Sequence, residues 1–207
     1  MTGEKLLSIL IPTIYGREQQ FSLLYKKLEQ QLYREGIWNE VEIVSECDDR
    51  TLTIGAKRQL LAEKGVGLFE VYIDDDDDVP DDYCLSIWQT IKNNPDIDCI
   101  GFLQQCTFNN SKPVLASLSN QWTDWGENKG RFRYVRTPFF PTPIKREHIL
   151  AIGYSDIRYG EDHDFARRLK QAGLCKKEHF IDKIMYFYKY VHQPHNIKYG
   201  GPQKSNK

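Results

Sequence analysis

Five consecutive aspartates, Asp74–Asp78, are the densest concentration of reactive side chains in this chain. Adjacent carboxylates repel one another, and keeping them ionised at one place is costly without a cation. A hard divalent cation wants several oxygen ligands, and Mg²⁺ commonly takes one or two carboxylates together with a substrate's phosphates. A solvated acidic turn is the competing reading. The flanks favour the site: Leu68–Ile73 (LFEVYI) is β-branched and aromatic, and Val79-Pro80 follows the run, which puts the carboxylates at a strand end. A second group, Tyr159-Gly160-Glu161-Asp162-His163-Asp164, sets acids at the start of a helix, where the dipole favours their ionised form. In a cleft such a carboxylate serves as a general base toward an alcohol; on an open surface it is an ordinary helix N-terminus. A third stretch, Trp122–Lys145, interleaves Trp122, Trp125, Phe132, Tyr134, Phe139 and Phe140 with Lys129, Arg131, Arg133, Arg136 and Lys145. Aromatic faces suit sugars or bases, and arginine pairs with phosphate.

These groups need elements to position them. Leu6–Ile11 (LLSILI) reads as a buried strand. Gln19–Glu35 carries apolar residues at helical spacing. Val41–Glu46 reads as a strand, Ile54–Lys64 as a helix resting on Leu60 and Leu61, Leu68–Ile73 as a strand, Asp81–Asn94 as a helix and Ile97–Phe102 as a strand. This alternation predicts one α/β domain with a mostly parallel central sheet flanked by helices. Ligands of such sheets sit at the carboxyl ends of strands, beyond Ile11, Glu46 and Ile73. Further on, Lys145–Ile152 and Asp162–Ala172 read as helices and Lys183–Tyr190 as a strand, while Gly126–Pro143 has no clear period.

The 207 residues suffice for one domain with a full core. We expect that domain over 1–199 and a loose polar tail over 200–207. No stretch reaches the roughly 20 apolar residues of a membrane span. Five cysteines without a C-x-x-C pair suit free thiols in a reducing cytoplasm. The net charge of −1 hides an asymmetry: residues 1–110 hold 10 Lys+Arg against 20 Asp+Glu, and residues 111–207 hold 18 against 9. Either the halves do different jobs, a donor half and an acceptor half with an anionic acceptor, or they attract each other.

Taken together and in order, four segments resemble the family 2 glycosyltransferases of GT-A fold. Tyr72-Ile-Asp-Asp-Asp-Asp-Asp-Val-Pro80 is similar to their D-x-D-D-x-x-P segment and Gly160-Glu161-Asp162 to their x-E-D motif. Ser8-Ile-Leu-Ile-Pro12-Thr13 is similar to their opening strand, and Ile54-Gly55-Ala56-Lys57-Arg58-Gln59 to their glycine-to-R-N helix start. The resemblance implies a metal-dependent inverting glycosyltransferase using a nucleotide-diphosphate sugar, with UDP the default nucleotide and Mn²⁺ or Mg²⁺ the metal. It would put Pro12, Thr13 and Asp48 beside the base, Asp49 or Glu46 being alternatives to Asp48. Lys57 and Arg58 would lie near the nucleotide, Asp74 would approach the ribose with Asp75 also in the donor site, and Asp76 would ligate the metal, with Asp75 or Asp77 as substitutes. His192 or His195 would supply a late metal ligand. Asp162 would be the catalytic base, and Trp122, Trp125, Arg136 and Glu161 would face the acceptor. That acceptor would be a nucleic acid such as hydroxymethylated viral DNA or a glycan, and the same residues would equally suit a phosphorylated lipid head group or a protein surface. The rival reading is a non-catalytic module that binds a divalent cation or a nucleotide-sugar; the run lacks the spacing of an EF-hand loop.

Overall fold

The computed structural model describes residues 5–191. β1 (Leu7–Ile14) is buried on both faces, as its apolar sequence demands. It pairs in parallel with β2 (Val41–Asp48) on one edge and β3 (Phe69–Tyr72) on the other. α1 (Glu18–Arg34) connects β1 to β2, and α2 (Ile54–Lys64) returns from β2 past β1 to β3. Right-handed crossovers running in opposite directions put these two helices on opposite faces of the sheet. Accordingly α1 packs with α3 (Tyr83–Asn93), whereas α2 packs with α4 (Arg146–Ile152) and α5 (Glu161–Gln171).

Beyond β3 the sheet is mixed. The two-residue β8 (Ile144–Lys145) lies antiparallel to both β3 and β4 (Cys99–Phe108). β4 pairs antiparallel with β5 (Val114–Leu118) and parallel with β9 (Glu178–Tyr190). β7 (Phe132–Arg136) runs parallel to β5 and antiparallel to β6 (Gly126–Lys129). The order is β2-β1-β3-β8-β4-β5-β7-β6, with β9 on β4. The expected parallel pairing holds through the first half and returns in the second between β4 and β9 and between β5 and β7. In the second half short turns, such as the one at Asn109 and Asn110 with φ of 50° and 56°, return the chain directly and force antiparallel pairing. The strands at this end, β5, β6 and β7, escaped the sequence reading. β6 is almost wholly exposed and polar (GENK), so it has no apolar period.

Several boundaries move outward for the same reason: β1, β2, β4 and β9 extend into polar or exposed residues that periodicity cannot register. α2 keeps its predicted bounds but not its predicted face, because Lys57 and Arg58 are buried in it beside Leu61. The start of α2 abuts the chain before α5. A Cβ on Gly55 would lie 1.9 Å from the carbonyl oxygen of Ser155, so glycine is required for that approach. Buried apolar residues from both halves form one continuous core. All five cysteines are free. Among the described residues no helix is long and apolar enough to cross a membrane.

Candidate functional site

The aspartate run leaves β3 as a tight turn, with the Asp77 amide donating to the Asp74 carbonyl at 3.1 Å. The turn sorts the side chains into two sets. Asp75, 3% exposed, accepts hydrogen bonds from the Thr13 hydroxyl and the Arg17 Nη1, each at 2.6 Å. Asp77 is also buried and accepts from the Tyr186 hydroxyl at 2.8 Å and the Lys189 amide at 2.9 Å. Burial and the nearby Asp74 push the Asp77 carboxyl well above the usual carboxylate range, against the pull of those two donors. Asp78 exchanges backbone hydrogen bonds with Phe187 in both directions and receives Lys27 Nζ at 2.9 Å. The run is thus stapled by β9, a strand more than a hundred residues away in sequence. Asp74 and Asp76 line an open space on the other side of the turn, Asp76 with a side chain 47% exposed and 3.0 Å from Arg17.

That space is a cavity of about 390 Å³ lined by Pro12, Thr13, Ile14, Arg17, Ile54, Lys57, Asp74, Asp75, Asp76 and residues 188–191. It sits at the carboxyl ends of β1 and β3. Of the residues expected around a nucleotide, Pro12, Thr13, Lys57, Asp74, Asp75 and Asp76 line it, and Asp48 and Arg58 do not. The Asp48 carboxylate is enclosed by Lys57 Nζ, by the Leu52 amide at 2.7 Å and by the Thr51 hydroxyl at 3.3 Å. Burial opposes ionisation there, but the lysine and the amide outweigh it and hold Asp48 below its ordinary value. Lys57 in turn donates to the Thr13 carbonyl at 2.6 Å, so Asp48 braces a cavity wall. The alternative Glu46 pairs with Lys64 instead. Arg17 is the cavity residue that sequence reasoning missed; its only signal was a single arginine in the loop after Pro12-Thr13. Tyr188 and Lys189 were invisible because only the tertiary path of β9 brings them there.

Arg58 lies behind the wall, fully buried, with its guanidinium 3.8 Å from the Phe140 ring centroid. Its Nη2 holds both oxygens of Asp74, at 3.0 and 3.2 Å, and its Nε faces Glu161 at 3.4 Å. Two acidic motifs separated by almost ninety residues therefore share one cation. Glu161 is directed at Arg58 and not at an acceptor; burial raises its carboxyl, Arg58 acting against this.

A second cavity, of about 310 Å³, adjoins the first through Tyr188. Asp162, at the start of α5, lines it together with Gln104, Trp125, Tyr134, Arg136, Phe139 and Phe140. The Arg136 guanidinium lies 4.7 Å from the Trp125 centroid and 5.0 Å from that of Tyr134, and burial lowers its pKa. Trp122 stands apart: its indole donates to the Ser117 hydroxyl at 3.1 Å and its ring meets Phe132 edge-on.

For a metal ion, Asp74 and Asp76 offer carboxylate oxygens to one cavity, a donor set suited to a hard cation that completes its shell with phosphate oxygens. Among the described residues no group of three or more His, Cys, Asp or Glu forms a cage. His192 and His195 lie outside the described residues, as does the expected tail over 200–207.

No protein-family profile and no curated protein matches this sequence. Its structure, however, resembles solved ones. S. aureus TarS 1-349 in complex with UDP-GlcNAc superposes with a TM-score of 0.61 at 12% identity, over 92% of this chain and 60% of that one. The same protein in complex with UDP gives a TM-score of 0.60 at 12% identity, over 93% and 62%. The catalytic domain of Drosophila β1,4-galactosyltransferase 7 in complex with xylobiose gives 0.56 at 13% identity, over 98% and 76%. The chain spans about 60% of the length of the TarS fragment. It has the GT-A fold.

Proposed function

We propose that this chain is an inverting glycosyltransferase that moves a sugar from a nucleotide diphosphate, with UDP the favoured nucleotide, to an acceptor hydroxyl. One observation carries the reading: two cavities meet at Tyr188, with Asp74 and Asp76 in one and Asp162 in the other. Such a layout puts a donor site and a base in adjoining cavities, as a direct displacement needs. A similar fold holding UDP-GlcNAc in TarS supports the choice of donor.

In this reading the base of the nucleotide lies on Pro12 and Thr13, against the wall that Lys57 and Asp48 brace. Asp74 and Asp76 would hold a divalent cation, Mn²⁺ or Mg²⁺, which would supply positive charge against the diphosphate. Arg17, 2.6 Å from Asp75 and 3.0 Å from Asp76, is a cation at the same place and adds stabilisation where negative charge develops. Asp162 accepts the proton of the acceptor hydroxyl as that oxygen attacks the anomeric carbon. One displacement inverts the configuration there.

The test is thermal unfolding with UDP, GDP and CMP and their sugar conjugates, each with Mn²⁺ and with chelator. A nucleotide at ~100 times its dissociation constant stabilises the fold by about 2.7 kcal/mol. Metal-dependent stabilisation by a uridine nucleotide is expected, and Asp162→Asn should retain it while transfer falls ~10²–10⁴-fold. No shift with any nucleotide would replace this reading with a cation-binding module, and full transfer by Asp162→Asn would remove the base assignment.

A further inference from the structure

The cavity around Asp74–Asp76 is built with cations of its own, and they are not equivalent. Arg58 is fully buried, stacks on Phe140 and holds both oxygens of Asp74. Lys57 is buried too and committed to Asp48 and the Thr13 carbonyl. Both are enclosed in the wall. Arg17 differs, with a side chain 36% exposed. One of its nitrogens, Nη1, lies 2.6 Å from Asp75 Oδ1 and 3.0 Å from Asp76 Oδ2. Among the described residues its Nε and Nη2 have no hydrogen bond.

A guanidinium nitrogen between two carboxylates does there what a metal ion does, offsetting their mutual repulsion. The two acids are held unequally. Asp75 is enclosed, its other oxygen taken by the Thr13 hydroxyl at 2.6 Å. Asp76 opens on the cavity. A divalent cation placed on Asp76 would stand close to this guanidinium and be repelled by it, so the chain as folded disfavours the bare metal. A diphosphate reverses the balance. Its oxygens match the planar fork of arginine, whereas the aspartates engage that fork through a single nitrogen.

We propose that Arg17 guards Asp76 against a bare divalent cation and that the donor's diphosphate draws the guanidinium off, making metal binding conditional on nucleotide. The exchange rests on the glycosyltransferase reading, and the experiment tells the two apart. Mn²⁺ is titrated into the full chain with and without UDP, free Mn²⁺ being read by electron paramagnetic resonance. UDP is titrated separately in chelator, followed by thermal shift.

Wild type should bind Mn²⁺ weakly alone and more tightly with UDP, within the ~5–150-fold usual for coupled sites. Arg17→Gln keeps an N–H for Asp75 and removes the charge. It should bind Mn²⁺ alone about tenfold more tightly, with a correspondingly smaller effect of UDP, and should lose UDP affinity in chelator. Arg17→Lys keeps the charge without the fork, so Mn²⁺ alone should bind as to wild type while UDP in chelator weakens. Lys189 lines the same cavity, and its ammonium pairs with no carboxylate among the described residues; Lys189→Gln should therefore raise Mn²⁺ affinity less than Arg17→Gln. With UDP binding metal-dependent, an Arg17→Gln variant that takes up Mn²⁺ no better than wild type overturns the exchange and leaves the donor site standing. An equal gain from Lys189→Gln does the same. Absence of UDP binding in wild type and variants alike overturns the donor reading, while tighter Mn²⁺ binding by Arg17→Gln would still show Arg17 guarding Asp76.

Discussion

Replacing Arg58 with methionine tests the claim that one buried cation organises both acidic motifs. The guanidinium is fully buried, bonds Asp74 at 3.0 Å and faces Glu161 at 3.4 Å. Methionine fills a similar volume and rests on Phe140 and Tyr72, so the change removes charge more than packing. Glu161, 6% exposed, would be left as an unpaired buried carboxylate. Breaking a buried pair from one side costs about 3–5 kcal/mol. At roughly 2–4 °C per kcal/mol for a domain of this size, the midpoint should fall by ~6–20 °C at pH 7.5. The deficit should depend on pH in one direction. Burial already raises the Glu161 carboxyl while Arg58 lowers it, and removing Arg58 raises it further. An acid whose folded pKa exceeds its unfolded one binds more protons in the native state, so stability falls as pH rises between the two values. The variant should therefore lie nearest wild type at about pH 4.3, the ordinary glutamate value, and lose ground toward neutrality. Adding Glu161→Gln should restore part of the loss at pH 7.5. A deficit under about 1 kcal/mol at neutral pH, or one independent of pH and of Glu161, would refute the reasoning.

Three further outcomes follow from the same geometry. Glu70 is fully buried at the base of β3, and burial pushes its carboxyl up to about 8 despite Arg146. Its contribution is fullest below the ordinary glutamate range and lost as pH rises toward 8, so Glu70→Gln should flatten the stability profile over that window and exceed wild type at pH 9 by denaturant titration. Gly55→Ala drives a methyl to 1.9 Å from the Ser155 carbonyl oxygen, and should cost ~1–3 kcal/mol and weaken UDP binding by shifting Lys57; an unchanged midpoint would show that the α2–α5 approach is loose. Asp76→Ala should reduce Mn²⁺-dependent stabilisation by UDP with little effect on the apoprotein, because its side chain is 47% exposed; undiminished metal dependence would remove Asp76 from the donor site.

Local sequence determined the first half of the fold and the identity of the acids. Short-range apolar runs and helical spacing suffice for β1, α1, β2, α2 and β3, since each buries a face whose period is written in consecutive residues. The chemistry of Asp74–Asp78 and Gly160–Asp162 was visible for the same reason: both lie contiguous at element ends. The tertiary structure decided how each aspartate is held, because only the path of β9, through Tyr186, Phe187 and Lys189, buries the Asp77 carboxyl and pins the Asp78 backbone, while the Asp78 side chain stays 38% exposed beside Lys27. It also moved Asp48 and Arg58 from the expected site into the walls behind it, as nothing in a sequence distinguishes a charge facing a ligand from one facing a buried partner. Glu161 and Asp162 are adjacent in sequence, yet one turns inward to Arg58 and the other toward a cavity, because neighbouring residues on a helix lie about 100° apart.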